Sequence, residues 1–267
     1  TTWGTVATDD LTYPSVFAMQ NNSPSINFGE SGYISRQELA LLQNIIIEKK
    51  TRTDKKKINI VFFDGVNDVA VRCRSEAKGI STHRESQIQS IFSSSDANLF
   101  DLSNDEKYSF RTTFMQLTDF LAELIQRVSS KAAQEQSAKM YNCDSDINRA
   151  DEIAKTLIET WRQADKIATS NNMNFVAILQ PVAYFENPKI EYLGLNSKID
   201  EALSNQYEVV YPKIKELAKN ESFKFIDLTD VYDGCSNCYI DFCHVGPQGH
   251  ELLVSRLINE FKLLKLN

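Results

Sequence analysis

The stretch Ile60-Val61-Phe62-Phe63-Asp64-Gly65-Val66-Asn67-Asp68 decides how this chain is read. Four consecutive apolar, strand-forming residues predict a strand covered on both faces, as in a parallel sheet. The run then breaks at Asp-Gly, where a glycine permits a tight turn. Polar groups follow at what becomes the carboxyl end of a parallel strand, the edge where open α/β sheets bind ligands. There the Asn67 amide is placed to donate to negative charge developing on a substrate oxygen.

Outward from this point, strands are predicted at 25–28, 174–179 and 223–228, with a helical period between them. The stretch 36–49 carries Leu39, Leu42 and Ile46 on one face, and 148–170 carries Ile153, Leu157, Trp161, Ala164 and Ile167. A third helix is expected over 198–219. A last one begins near Pro247, a residue suited to a first helical turn, and repeats Leu253, Leu257, Phe261 and Leu264. Strands alternating with helices predict a three-layer α/β/α, flavodoxin-like sandwich around a central parallel sheet. The rhythm fails between 72 and 147, where a Ser, Asn and Asp-rich segment (81–105) precedes a helical stretch (106–131). That length exceeds what a crossover needs, so it reads as a largely helical insertion that caps a site within a single domain spanning 1–267.

Composition narrows the function. The 267 residues are 42% hydrophobic and 24% charged, with no apolar run near the ~20 residues that cross a bilayer. A net charge of −7 argues against nucleic acid as a partner. The basic run Lys55-Lys56-Lys57 reads as a solvated loop. Five cysteines include one close pair, Cys235 and Cys238, without the second pair that structural zinc requires. A local disulfide and two free thiols both remain open for that pair.

Two further stretches carry chemistry. In Tyr239-Ile240-Asp241-Phe242-Cys243-His244-Val245-Gly246-Pro247, the three-residue spacing lets one turn present a carboxylate to one ring nitrogen of His244. The other nitrogen is then free to act as a base. Of the remaining histidines, His83 falls in the insertion and His250 in the last helix, at what reads as a surface position. In Asn27-Phe28-Gly29-Glu30-Ser31-Gly32-Tyr33-Ile34-Ser35-Arg36-Gln37-Glu38, a glycine-bearing loop leads into a helix for which Ser35 and Glu38 predict a capping box. Gly32 can offer a backbone N–H there.

Taken in order, the glycine loop, the Gly-x-Asn-Asp turn and the Asp-x-x-His turn resemble the blocks of the SGNH (GDSL-like) hydrolase superfamily. The opening Thr1-Thr2-Trp3-Gly4, with Asp10 and Tyr13-Pro14, is similar to the tail of the first block in a bacterial branch that reads Gly-Gly-Ser-Thr-Thr. The resemblance extends from Thr1 to about Leu257. It implies His244 as general base, Asp241 as its orienting partner, and Gly32 and Asn67 as oxyanion donors. It also puts the nucleophilic serine one position before Thr1, and the first sheet strand before that. The implied activity is ester hydrolysis without metal or organic cofactor, on acetyl or short acyl esters of a carbohydrate or small molecule. Acyl transfer, lysophospholipase or lipase action, and non-catalytic carbohydrate binding are the other uses of the scaffold. Such proteins are often exported or membrane-anchored, and an anchor is expected here only upstream of Thr1.

Overall fold

The computed structural model describes residues 8–47, 58–75, 77 and 140–266. Strand β2 (Asn174–Leu179) is the centre of the sheet, buried at every position after the first. It pairs in parallel with β1 (Asn59–Asp64), in register from Asn59↔Asn174 to Asp64↔Leu179. On its other side it pairs in parallel with β3 (Lys224–Asp227). Because side chains alternate along a strand, β2 feeds two cores at once. Phe175, Ala177 and Leu179 enter one, and Val176 and Ile178 the other.

Helices cover both faces, giving three layers. On the first face lie α2 (Ser35–Ile47), α3 (Val66–Arg72), α4 (Ile147–Ser170) and α5 (Lys198–Ala218). Asp146 caps α4 by accepting from Arg149 N–H, and Ser197 with Asp200 forms a complete capping box on α5. The α4 stripe Ile153, Leu157, Trp161 and Ala164 is fully buried. Each aliphatic side chain of this size stabilises by roughly 1.5–3 kcal/mol on leaving water. The second face holds α1 (Tyr13–Asn21) and α6 (Pro247–Leu263), joined by the Phe17–Phe261 ring contact. Helix α1 was not anticipated from the sequence. It starts at a Tyr-Pro pair and is held by one short apolar face (Tyr13, Val16).

Gly65 turns the chain from β1 into α3 at φ +122°, a conformation closed to other residues. A Cβ there would also lie 2.7 Å from Leu179 Cδ1 and 3.0 Å from the Tyr211 hydroxyl. This turn therefore requires glycine on both counts.

Three expectations are corrected. Residues 25–28 form no strand: they are not part of the three-stranded sheet of the described residues, and Ile26 and Phe28 face solvent. An extended segment without a ladder partner leaves its backbone to water or to local turns, here Asn27 Oδ1 accepting from Gly29 N–H. The Ser35/Glu38 capping box does not form either. Helix α2 begins one residue earlier, Gln37 returns its side chain to Ile34 N–H, and Ser35 donates to Asp68 instead. His250 is not at the surface: it is buried, with Nδ1 against the Leu11 carbonyl and its ring edge-on to Tyr13.

Most of the predicted insertion, with its helical stretch and His83, lies outside the described residues, as do Thr1 to Gly4 and Lys55 to Lys57. Its stem is described. Cys73 and Cys143 form a disulfide, flanked by the Arg74↔Tyr141 bridge and by hydrogen bonds from Ser75 N–H to Met140 and from Asn142 N–H to Cys73. Arg149 donates to the carbonyls of Arg72, Arg74 and Ala77, and Gln206 accepts from the N–H groups of Cys143 and Asp144.

Candidate functional site

The loops that leave the carboxyl ends of β1, β2 and β3 build the site. After β3, the chain makes a tight hairpin closed by the Tyr239↔Val245 bridge, with Ile240 N–H donating to the His244 carbonyl and Gly246 N–H to Cys238. At its base, Cys235 and Cys238 are joined as a disulfide, the first of the two open alternatives. At its tip, Asp241 Oδ1 accepts from the backbone N–H groups of Cys243 (2.9 Å) and His244 (2.7 Å). Asp241 Oδ2 lies 2.7 Å from His244 Nδ1. The three-residue spacing thus delivers the pair expected from it.

Burial works to raise the Asp241 carboxyl, but the hydrogen bonds from the His244 ring and from the two backbone N–H groups outweigh it, and it falls to about 2. The carboxylate is therefore charged throughout the ordinary pH range. Facing it, Nδ1 of a neutral imidazole carries the hydrogen, and Nε2 is left as a bare acceptor. The ring remains about one quarter exposed.

Asp241, Cys243 and His244 also bring three metal-ligating atoms within 4.8 Å of one another. Their chemistry suits a metal poorly. His244 Nδ1 is committed to Asp241, and burial pushes the Cys243 thiol well up, away from the thiolate that binds metals. The same burial argues against Cys243 as a nucleophile, since its sulfur sits 3.6 Å from Nδ1, the nitrogen already engaged. Among the described residues, no hydroxyl is hydrogen-bonded to the His244 ring.

At the end of β1, Asn67 donates through Nδ2 to the Tyr33 carbonyl (2.9 Å), one residue from Gly32. An amide has a second N–H, which has no partner among the described residues. Gly32 sits exposed at φ +75°, and its own N–H is likewise unengaged. The structure therefore brings the Gly32 loop and Asn67 together. Asp68 locks this junction by accepting from Ser35 N–H (3.1 Å) and the Ser35 hydroxyl (2.7 Å). The role of Asp68 was not anticipated from the sequence, where its place directly after Asn67 was the available signal.

Behind the junction lies a buried charge cluster. Arg72 is fully buried, 3.7 Å from Asp68, and none of its nitrogens has a hydrogen-bond partner among the described residues. Asp64 accepts from Trp161 Nε1 (2.7 Å). Burial, then the neighbouring carboxylates, push both Asp64 and Glu38 well above the usual range. Each carboxyl therefore favours its protonated, uncharged form beside the other.

The two halves of the site meet through the loop after β2. Gln180 donates its N–H to the Asp64 carbonyl and accepts from Val66 N–H, while Ala183 N–H donates to the Phe242 carbonyl. Tyr184 stacks on Phe242, with centroids 5.6 Å apart. Asn67 and His244 thus border the same edge of the sheet, where ligands gather in such folds. No family model matches the chain, and no curated protein does.

Proposed function

We propose that this protein is a serine-type ester hydrolase that removes acetyl or other short acyl groups from a carbohydrate or small ester. The observation that carries the reading is the Asp241–His244 pair, with the carboxylate fixed by two backbone N–H groups and held 2.7 Å from Nδ1, which leaves Nε2 as the base. Such a pair takes a proton from a nucleophile and returns it to a leaving group. Gly32 N–H and the spare Asn67 N–H supply the oxyanion donors, each worth on the order of 10²–10³ in rate. The nucleophile is the serine that the resemblance puts immediately before Thr1. It attacks the ester carbonyl, the alcohol departs with the proton held by His244, and water then releases the acyl group by the same base.

The test is hydrolysis of nitrophenyl acetate and of a long-chain nitrophenyl ester by the protein that includes the residues preceding Thr1. His244→Ala is expected to lower kcat on the order of 10⁴-fold or more, and Asp241→Asn on the order of 10⁴-fold. Unchanged turnover in His244→Ala, or an alanine in place of the serine before Thr1, refutes the esterase reading.

A further inference from the structure

We infer that Gln180 is a positioning residue of the site, which holds Asn67 in place as oxyanion donor by capping helix α3 from the neighbouring strand. The inference rests on the esterase reading and adds what keeps the two halves of that site in register.

The need for such a residue begins at Gly65. The first N–H groups of a helix have no partner within it, and a side chain at the position just before the helix normally accepts from one of them. Here that position is Gly65, which the turn requires to be glycine, so α3 has no side-chain cap of its own. Its first residue, Val66, is buried, and a buried N–H without an acceptor is costly. Gln180, the residue that follows β2, supplies the acceptor, its Oε1 taking the Val66 N–H at 3.2 Å. The Val66 carbonyl is held as well, by the Tyr207 hydroxyl donating at 3.0 Å. Both backbone groups of the residue before Asn67 are thus fixed by side chains from distant elements.

Gln180 is itself held firmly. It is buried, and its N–H carries the parallel ladder one step past β2 to the Asp64 carbonyl at 2.8 Å. Pro181 follows, and a residue before proline is confined to extended backbone. The same short segment reaches the other half of the site. Ala183 N–H donates at 2.8 Å to the carbonyl of Phe242, in the hairpin that carries Asp241 and His244. Residues 180–183 therefore fasten the turn before Asn67 at one end and the His244 hairpin at the other. The bonds from Asn67 to Tyr33 and from Ser35 to Asp68 tie α3 to the Gly32 loop, whereas Gln180 ties it to the sheet. An oxyanion donor and a base act on the same ester group, so their separation matters, and a misplacement of about 1 Å costs on the order of 10² in rate.

The experiment measures hydrolysis of nitrophenyl acetate by the protein with its residues preceding Thr1, in Gln180→Met, Gln180→Glu, Asn67→Ala and the double variant of Gln180→Met with Asn67→Ala. Gln180→Met keeps the side-chain length and loses the acceptor, so kcat is expected to fall about tenfold or more with KM within about threefold. Gln180→Glu keeps an acceptor oxygen whether its carboxyl is ionised or not, and kcat is expected within about threefold of wild type. Because Gln180 acts through Asn67, adding Gln180→Met to Asn67→Ala is expected to change kcat by less than about twofold. Hydrogen exchange at the Val66 amide is expected to quicken about tenfold or more in Gln180→Met and to stay slow in Gln180→Glu. If Gln180→Met does not fold, Gln180→Asn, which withdraws the acceptor by one methylene, carries the same test. The inference is overturned if kcat in Gln180→Met stays within about twofold of wild type, or if its loss persists in full on the Asn67→Ala background. Equal losses in the Met and Glu variants overturn it too. In each of these cases, wild-type turnover that His244→Ala abolishes leaves the esterase reading standing. Absent turnover in wild type removes the esterase reading and the positioning role with it, while faster Val66 exchange in Gln180→Met still establishes the cap.

Discussion

Replacing Asp68 by Ala tests the buried cluster that joins the Gly32 loop to Asn67. The carboxylate accepts two hydrogen bonds from Ser35 and stands 3.7 Å from a guanidinium that is fully buried and has no hydrogen-bond partner among the described residues. Removing one member of a buried ion pair costs about 3–5 kcal/mol, because the other charge is left uncompensated. The Asp64 carboxyl also feels Arg72 and, by ionising, can take over part of the compensation, so the low end, about 3 kcal/mol, is expected. For a chain of this size that lowers Tm by about 6–12 °C. Thermal unfolding of Asp68→Ala, Arg72→Met and the double variant checks it as a cycle. The double variant should recover at least about 1 kcal/mol relative to the sum of the singles, since it leaves neither charge alone. A drop below about 2 °C in Asp68→Ala, or strict additivity in the cycle, would refute the reasoning.

Two other perturbations follow from the same geometry. Burial and neighbouring carboxylates raise Glu38 and Asp64 above the usual carboxylate range, so the stability tied to their protonated forms is present at low pH and is lost as pH rises through that raised titration. Glu38→Gln cannot ionise. Its Tm should vary less than wild type between about pH 5 and pH 9, and an unchanged slope would count against a raised Glu38. The Cys73–Cys143 disulfide closes a separation of 70 residues, so Cys143→Ser should lower unfolding free energy by about 4 kcal/mol in denaturant titration. A loss under about 1 kcal/mol would show that the Arg149 and Gln206 hydrogen bonds suffice to hold the stem.

Sequence by itself determined the elements whose signals are local. The apolar run Phe175 to Leu179 suited a strand covered on both faces, and the α4 stripe follows the 3.6-residue period set by helix geometry. Asp241 and His244 meet because three residues of one turn suffice to bring them together. Gly65 was legible as a turn for the same reason, although the closeness of Leu179 and Tyr211 was not. What only the tertiary structure decided depends on partners distant in the chain. Residues 25–28 have strand-like composition, yet a strand exists only where another backbone completes its ladder. Ser35 could have capped its own helix, but Asp68, 33 residues away, offers a charged acceptor in a buried place and wins. His250 looked like a surface residue until α1 covered it, and Cys73 had no visible partner until the stem brought Cys143 beside it. Local periodicity reports which face of an element is buried. It carries no record of which distant groups the burial brings into contact, and the junction of Gly32, Asn67 and Asp68 is made of such contacts.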